Sequence, residues 1–198
     1  FILEELRQKI RSYTKRLYEE PISKFFISLR FTPNMVTILG LLITTIGSFI
    51  IFRGDFFLAG IIVAIGALLD SIDGSMARLT NNVSKYGDLL DSVIDRFSEG
   101  IVFIGIASYY IYNDLNEFAI FLVLISLLCS QIISYIRAKS ESLGIENKSG
   151  IFTRVERSLV LIFFLIVSQP IFGLYVLGVG TLMSSVWRLA SGLKNAKN

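Results

Sequence analysis

Hydrophobic residues in this chain come in six long runs separated by short polar breaks at Arg53–Asp55, Thr80–Val83, Asn113–Leu115, Gly144–Gly150 and Ser168–Pro170. Runs of this length, with turn-forming residues confined to the breaks, predict helices near 34–53, 56–80, 84–112, 116–143, 152–169 and 171–192. About 20 apolar residues cross the hydrocarbon of a bilayer, so six transmembrane helices are expected. Residues 1–30 follow a different pattern. Ile2, Leu3, Leu6, Ile10, Tyr13 and Leu17 recur near helical spacing among Arg7, Lys9, Arg11, Lys15 and Arg16, and Ile22, Phe25, Phe26 and Leu29 form a second set. This predicts an amphipathic helix lying on the membrane with its basic residues toward anionic headgroups. The same pattern would also serve a helix packed on a partner. The expected architecture is all-α: a juxtamembrane amphipathic helix at 1–30, then a polytopic six-helix transmembrane domain at 31–198.

Composition narrows the chemistry. The chain is 53% hydrophobic with a mean hydropathy of +0.65, which suits a membrane protein of one domain. It contains no histidine, so no His base, His metal ligand or Ser-His relay can come from this chain, and carboxylates must carry acid–base work. Its one cysteine, Cys129, sits in an apolar run, so no disulfide forms within the chain. The charged N-terminal stretch has no apolar core before a small-residue cleavage site, so no cleavable signal is expected. Of nineteen Lys and Arg, seventeen fall on one side of a six-span arrangement. Only Arg53 falls on the other side, and Arg96 lies within the third run. The positive-inside bias therefore puts both termini at the cytoplasmic face of the cell (plasma) membrane. The net charge of +3 reflects that topology rather than nucleic-acid binding.

Polar chemistry concentrates between Asp70 and Asp95, flanked by the apolar runs Phe56–Leu69 and Ile101–Tyr112. A carboxylate in or near hydrocarbon is costly unless paired, hydrated or bound to metal. Asp70 and Asp73 are spaced i, i+3, and Asp91 and Asp95 i, i+4, so each pair shares one helix face. Small residues accompany them: Gly74 and Ala77 with the first pair, Ser84, Gly87 and Ser98 with the second. Four carboxylates facing one another across a short turn make an oxygen-only cage for hard divalent cations. Two Mg²⁺ ions, or Mn²⁺ in their place, would roughly balance the charge, and two-metal sites of this kind clamp a phosphoryl group.

The stretch resembles a family signature. The pattern D-x2-D-G-x2-A-R-x8-G-x3-D-x3-D of the CDP-alcohol phosphotransferases is met at Asp70, Asp73, Gly74, Ala77, Arg78, Gly87, Asp91 and Asp95, with no departure in residue or spacing. Eight fixed positions would match by chance in fewer than about 10⁻⁶ of chains this long. The resemblance implies an integral membrane transferase. A CDP-linked lipid, CDP-diacylglycerol or CDP-archaeol, enters from the bilayer, an acceptor hydroxyl attacks its β-phosphorus, and CMP leaves. It implies that Asp70, Asp73, Asp91 and Asp95 are metal ligands and that Asp95 is also the base. For the CDP-lipid it implies Asn34 and Thr37 in T-P-N-M-V-T, together with Gly74, Ala77, Arg78, Ser84 and Gly87. Homodimers are expected on the same ground.

Ser134–Arg157 is the second informative stretch. Arg137 closes the fourth run, Arg154 and Arg157 open the fifth, and Arg188 lies near the end of the sixth. Cations at a helix start oppose the macrodipole, whereas guanidinium groups bind phosphate bidentately. Positive-inside charge and snorkelling would place arginines there too. Ser134–Gly144, Thr153–Arg157 and Asp91–Arg96 resemble the family branch that acts on inositol 1-phosphate, making phosphatidylinositol phosphate or its archaeal ether-lipid counterpart. The sequence departs from that branch at Thr153, where a glutamate is the pattern. That likeness implies Arg137, Arg157 and Arg188, with Arg154 beside them, as the acceptor-phosphate ligands. The residues leave three alternatives open: the same chemistry on glycerol 3-phosphate or serine, a cation or proton transporter using intramembrane aspartates, and a non-enzymatic lipid-binding scaffold.

Overall fold

The computed structural model describes residues 18–145 and 152–196. Among them every regular element is a helix: α1 (Glu20–Ser28), α2 (Pro33–Phe52), α3 (Phe56–Leu79), α4 (Lys85–Tyr112), α5 (Glu117–Ser142), α6 (Arg154–Ile166) and α7 (Pro170–Asn195). The six helices from α2 onward are those the hydrophobic runs predict, with ends shifted by three residues at most. The largest shifts, three residues each, are at the end of α7 and at the end of α6. There Ser168 takes a positive φ of 55° and its N–H donates to the Leu165 carbonyl, closing the helix before the apolar run is finished. The amphipathic stretch before residue 18 lies outside the described residues.

Four helices, α2, α3, α5 and α7, are long and apolar enough to cross a membrane. α4 has the length, at 28 residues, but its stretch from Lys85 to Glu99 carries Lys85, Asp88, Asp91, Asp95, Arg96 and Glu99. α6 has 13 residues, about 20 Å at 1.5 Å per residue, short of a hydrocarbon core of about 30 Å. Length and composition alone therefore support four of the six expected spans. Large apolar side chains such as Phe49, Phe121, Leu128, Met183 and Trp187 stay exposed. Hydrocarbon, unlike water, suits such a surface.

The helices pack into two compact units. The first holds the described residues up to Thr44 together with Ala64–Ser98. Its core is Val36, Leu69, Ile72 and Met76, with Ile22 and Phe26 of α1 laid against it. The Ser23 hydroxyl ties α1 to the Ile72 carbonyl at 3.5 Å. α2 and α3 touch backbone to backbone at Gly40 and Gly66. A Cβ on Gly66 would lie 3.1 Å from the Gly40 oxygen and 3.3 Å from the Thr44 nitrogen, so only glycine allows this crossing.

The second unit holds Thr45–Val63 and the chain from Glu99 onward. Here α5 packs along α7, and α6 packs against α7. The core includes Phe103, Ile106, Val123, Leu165, Leu174 and Leu177. Asn116 caps α5 by accepting the Ala119 N–H at 3.0 Å.

Candidate active site

In the first unit, the α3–α4 turn decides where the carboxylates go. Asn81 adopts φ 51°, and the Asn82 N–H closes α3 on the Ala77 carbonyl at 2.9 Å. Ser84 then starts α4 by accepting the Gly87 N–H at 3.1 Å. The chain thus reverses in a few residues and sets the end of α3 against the start of α4. Asp70, Asp91 and Asp95 meet there, each offering a carboxylate oxygen within 4.8 Å of the others. Like charges at that separation repel by about 3–4 kcal/mol per pair at an effective dielectric near 20. Arg96 offsets some of this, its Nη1 standing 3.8 Å from Asp95 Oδ2. The donor set is all hard oxygen, carried on two helices, and suits a divalent cation of the Mg²⁺ or Mn²⁺ type.

Asp73, expected as a fourth ligand, does not join that group. It is buried, and its carboxylate accepts hydrogen bonds from the Thr37 hydroxyl and the Gly74 N–H. Thr37, expected at the nucleotide, here donates to the Asp73 carboxylate. That partner was invisible in the sequence because the two residues are 36 positions apart. Asn34 stands beside Ser84 and Gly87: a Cβ on Gly87 would lie 3.3 Å from Ser84 Oγ and 3.5 Å from Asn34 Oδ1. Arg78 lies alongside Gly74, whose added Cβ would lie 3.5 Å from Nη1, and its Nη2 is 3.9 Å from Glu19. With Arg78 half exposed, that ion pair contributes little. Ala77 is half-buried on the same helix. Thr32, by contrast, caps α2, accepting the Met35 N–H at 3.3 Å.

The arginines belong to the second unit and differ sharply. Arg137 is exposed and pairs with Glu141 one turn on. Arg154 is half-buried, and Arg188 is buried on α7. Arg157 is 3% exposed and grips Glu99 with two hydrogen bonds, Nε to Oε1 at 2.8 Å and Nη2 to Oε2 at 3.1 Å. Its Nη1 donates to the Phe152 carbonyl at 3.2 Å. Glu99 escaped the sequence reading, although its signal was present: an acid four residues after Asp95, at the edge of an apolar run. Glu156 accepts the Thr153 N–H at 2.7 Å. The residue that departs from the branch pattern, Thr153, is the N-cap of α6.

Known proteins resemble this chain in sequence and in fold. The archaetidylinositol phosphate synthase of Pyrococcus horikoshii is 34% identical over 194 residues, covering 98% of this chain and 97% of that protein. The phosphatidylinositol phosphate synthase of Mycobacterium tuberculosis, solved with CDP-DAG bound, superposes with a TM-score of 0.82 at 29% identity, over 88% of this chain and 93% of that one. The same enzyme solved with manganese and citrate gives a TM-score of 0.81 at 30% identity, over 87% and 88%. The eight-position aspartate motif and its three grouped carboxylates lie within residues 30–187, which match the CDP-alcohol phosphatidyltransferase family, and to that family the chain belongs.

Proposed function

We propose that this membrane enzyme moves the phosphatidyl or archaetidyl group of a CDP-linked lipid to inositol 1-phosphate, releasing CMP. The observation that carries the reading is the meeting of Asp70, Asp91 and Asp95 inside an unbroken family motif. The acceptor is supported by the inositol phosphate products named in its relatives, one archaeal and one bacterial.

In this reading Asp70, Asp91 and Asp95, joined by Asp73, would hold two Mg²⁺ ions, with Thr37 keeping Asp73 in orientation. When bound, the ions neutralise the diphosphate and stabilise charge on the attacking and leaving oxygens. Asn34, Ser84, Gly87, Gly74, Ala77 and Arg78 receive the CDP moiety, the small residues leaving room for it. Asp95 accepts the proton of the acceptor hydroxyl. The new O–P bond forms at the β-phosphorus, the bond to the CMP phosphate breaks, and CMP leaves with its electrons. Arg137, Arg154, Arg157 and Arg188 take the acceptor's phosphate.

The test is a panel of acceptors with radiolabelled CDP-lipid in detergent. Inositol 1-phosphate should give labelled lipid and CMP, with free inositol, glycerol 3-phosphate and serine at least tenfold poorer. CMP release without lipid product, or preference for another acceptor, would overturn the reading. A transporter would release no CMP. Arg188→Gln should raise the acceptor KM about ten- to a hundredfold, since a charge-assisted contact is worth roughly 1.5–3 kcal/mol. The CDP-lipid KM should hold, and Arg53→Gln should leave both constants unchanged.

We also place six spans in the plasma membrane with termini and carboxylates cytoplasmic, on the bias of the basic residues. In a Cys129→Ser background, a cysteine at the exposed Leu115 should label with an impermeant thiol reagent from outside intact cells. One at Asn147 should label only after permeabilisation. The reverse pattern would invert the topology.

A further inference from the structure

Arg157 spends three of its five N–H groups inside the protein: Nε and one hydrogen of Nη2 on Glu99, and one hydrogen of Nη1 on the Phe152 carbonyl. Among the described residues, Nη1 and Nη2 each keep one hydrogen. A guanidinium held by its Nε–Nη2 edge retains its other edge, between Nη1 and Nη2, as a second fork for a two-oxygen acceptor. We propose that Glu99 is a positioning residue for the acceptor substrate. It fixes the Arg157 guanidinium so that the remaining Nη hydrogens are presented to the phosphate of the phosphorylated alcohol. This inference rests on the inositol 1-phosphate reading and deepens it.

A purely structural role explains the pair poorly. The Glu99 side chain is 10% exposed and Arg157 3%, so both charges are desolvated. In such a setting a well-packed apolar pair usually stabilises a fold as well or better. Arg157 also sits in the first turn and a half of α6, where the helix dipole opposes a cation. Two unfavourable placements are thus held together by a bidentate pair and a third bond to Phe152, whose φ of 62° marks a constrained entry to the helix. The result is a side chain whose rotamer freedom is already lost before a ligand arrives, which removes part of the entropic cost of binding. Carboxylate on one edge and phosphate on the other is a geometry that arginine permits and lysine does not.

The experiment is steady-state kinetics of the parent, Glu99→Gln and Glu99→Asp, with inositol 1-phosphate and with free inositol, alongside melting temperatures in detergent. Glu99→Gln keeps the shape and loses the charge that grips both N–H groups. It should raise the inositol 1-phosphate KM about tenfold while the CDP-lipid KM and the weak use of free inositol stay within twofold. Glu99→Asp retracts the carboxylate by one methylene and should raise the same KM about threefold. This arm decides the matter if Glu99→Gln does not fold. A purely structural pair would lower the melting temperature and active fraction without singling out the phosphorylated acceptor. An unchanged acceptor KM in folded Glu99→Gln, or in Glu99→Asp, would overturn the inference. So would a lowered one, which would mean that Glu99 competes with the phosphate. Equal use of free inositol by the parent would instead overturn the inositol-phosphate reading itself.

Discussion

Asp70→Asn is expected to lower CDP-lipid turnover by more than about a hundredfold in protein that folds normally. Removing an outer-shell partner of a metal ligand already costs 10–100-fold in metal affinity or activity, and Asp70 would lose direct ligation. Its carboxylate belongs to the group whose oxygens lie within 4.8 Å of one another, so the amide also reduces the negative charge that draws a divalent ion. Two measurements separate this from a folding defect. The metal concentration for half-maximal activity should rise sharply. The melting temperature without added metal should hold or increase, because three crowded carboxylates become two. Asp95→Asn should differ, losing kcat even at saturating metal, since it would also remove the proposed proton acceptor. Activity of Asp70→Asn within twofold of the parent would end the metal assignment.

Arg157→Gln is expected to destabilise the protein by about 3–5 kcal/mol, because Glu99 is left buried without its cation. The loss of the Nη1 bond to Phe152 adds to this and loosens the entry to α6. Combining it with Glu99→Gln should recover most of the stability, as both charges then disappear together and the coupling shows as non-additivity. Denaturation in detergent of the two single variants and the double variant gives the coupling directly. Additive losses would show that the pair contributes nothing as a pair. The acceptor KM of the double variant should stay high although its stability returns, which separates the structural from the functional share of Arg157.

Helix positions were legible because they are local. Apolar runs bounded by turn residues mark where α2 to α7 start and stop to within three residues, and at the end of α6 the expected helix runs on through a backbone turn at Ser168. The aspartate spacing was equally readable: i, i+3 and i, i+4 put carboxylates on one helix face whatever else the chain does. Partnerships across helices were not readable in this way. Asp73 looked equivalent to Asp70, yet the Thr37 hydroxyl on α2 takes it. Glu99 and Arg157 pair across 58 positions with no local signal linking them.

Sequence by itself determined the all-helical membrane class, the absence of histidine chemistry, and an eight-position motif sufficient for the reaction class. These follow from composition and short-range periodicity, which any fold of this chain must respect. Tertiary structure alone decided which three aspartates bring oxygens within 4.8 Å, which hydroxyl orients the fourth, and that Arg157 is gripped by a glutamate 58 positions away. Those outcomes depend on how helices distant in sequence approach and rotate against one another. At Gly40 and Gly66 that approach is set by the mere absence of a side chain.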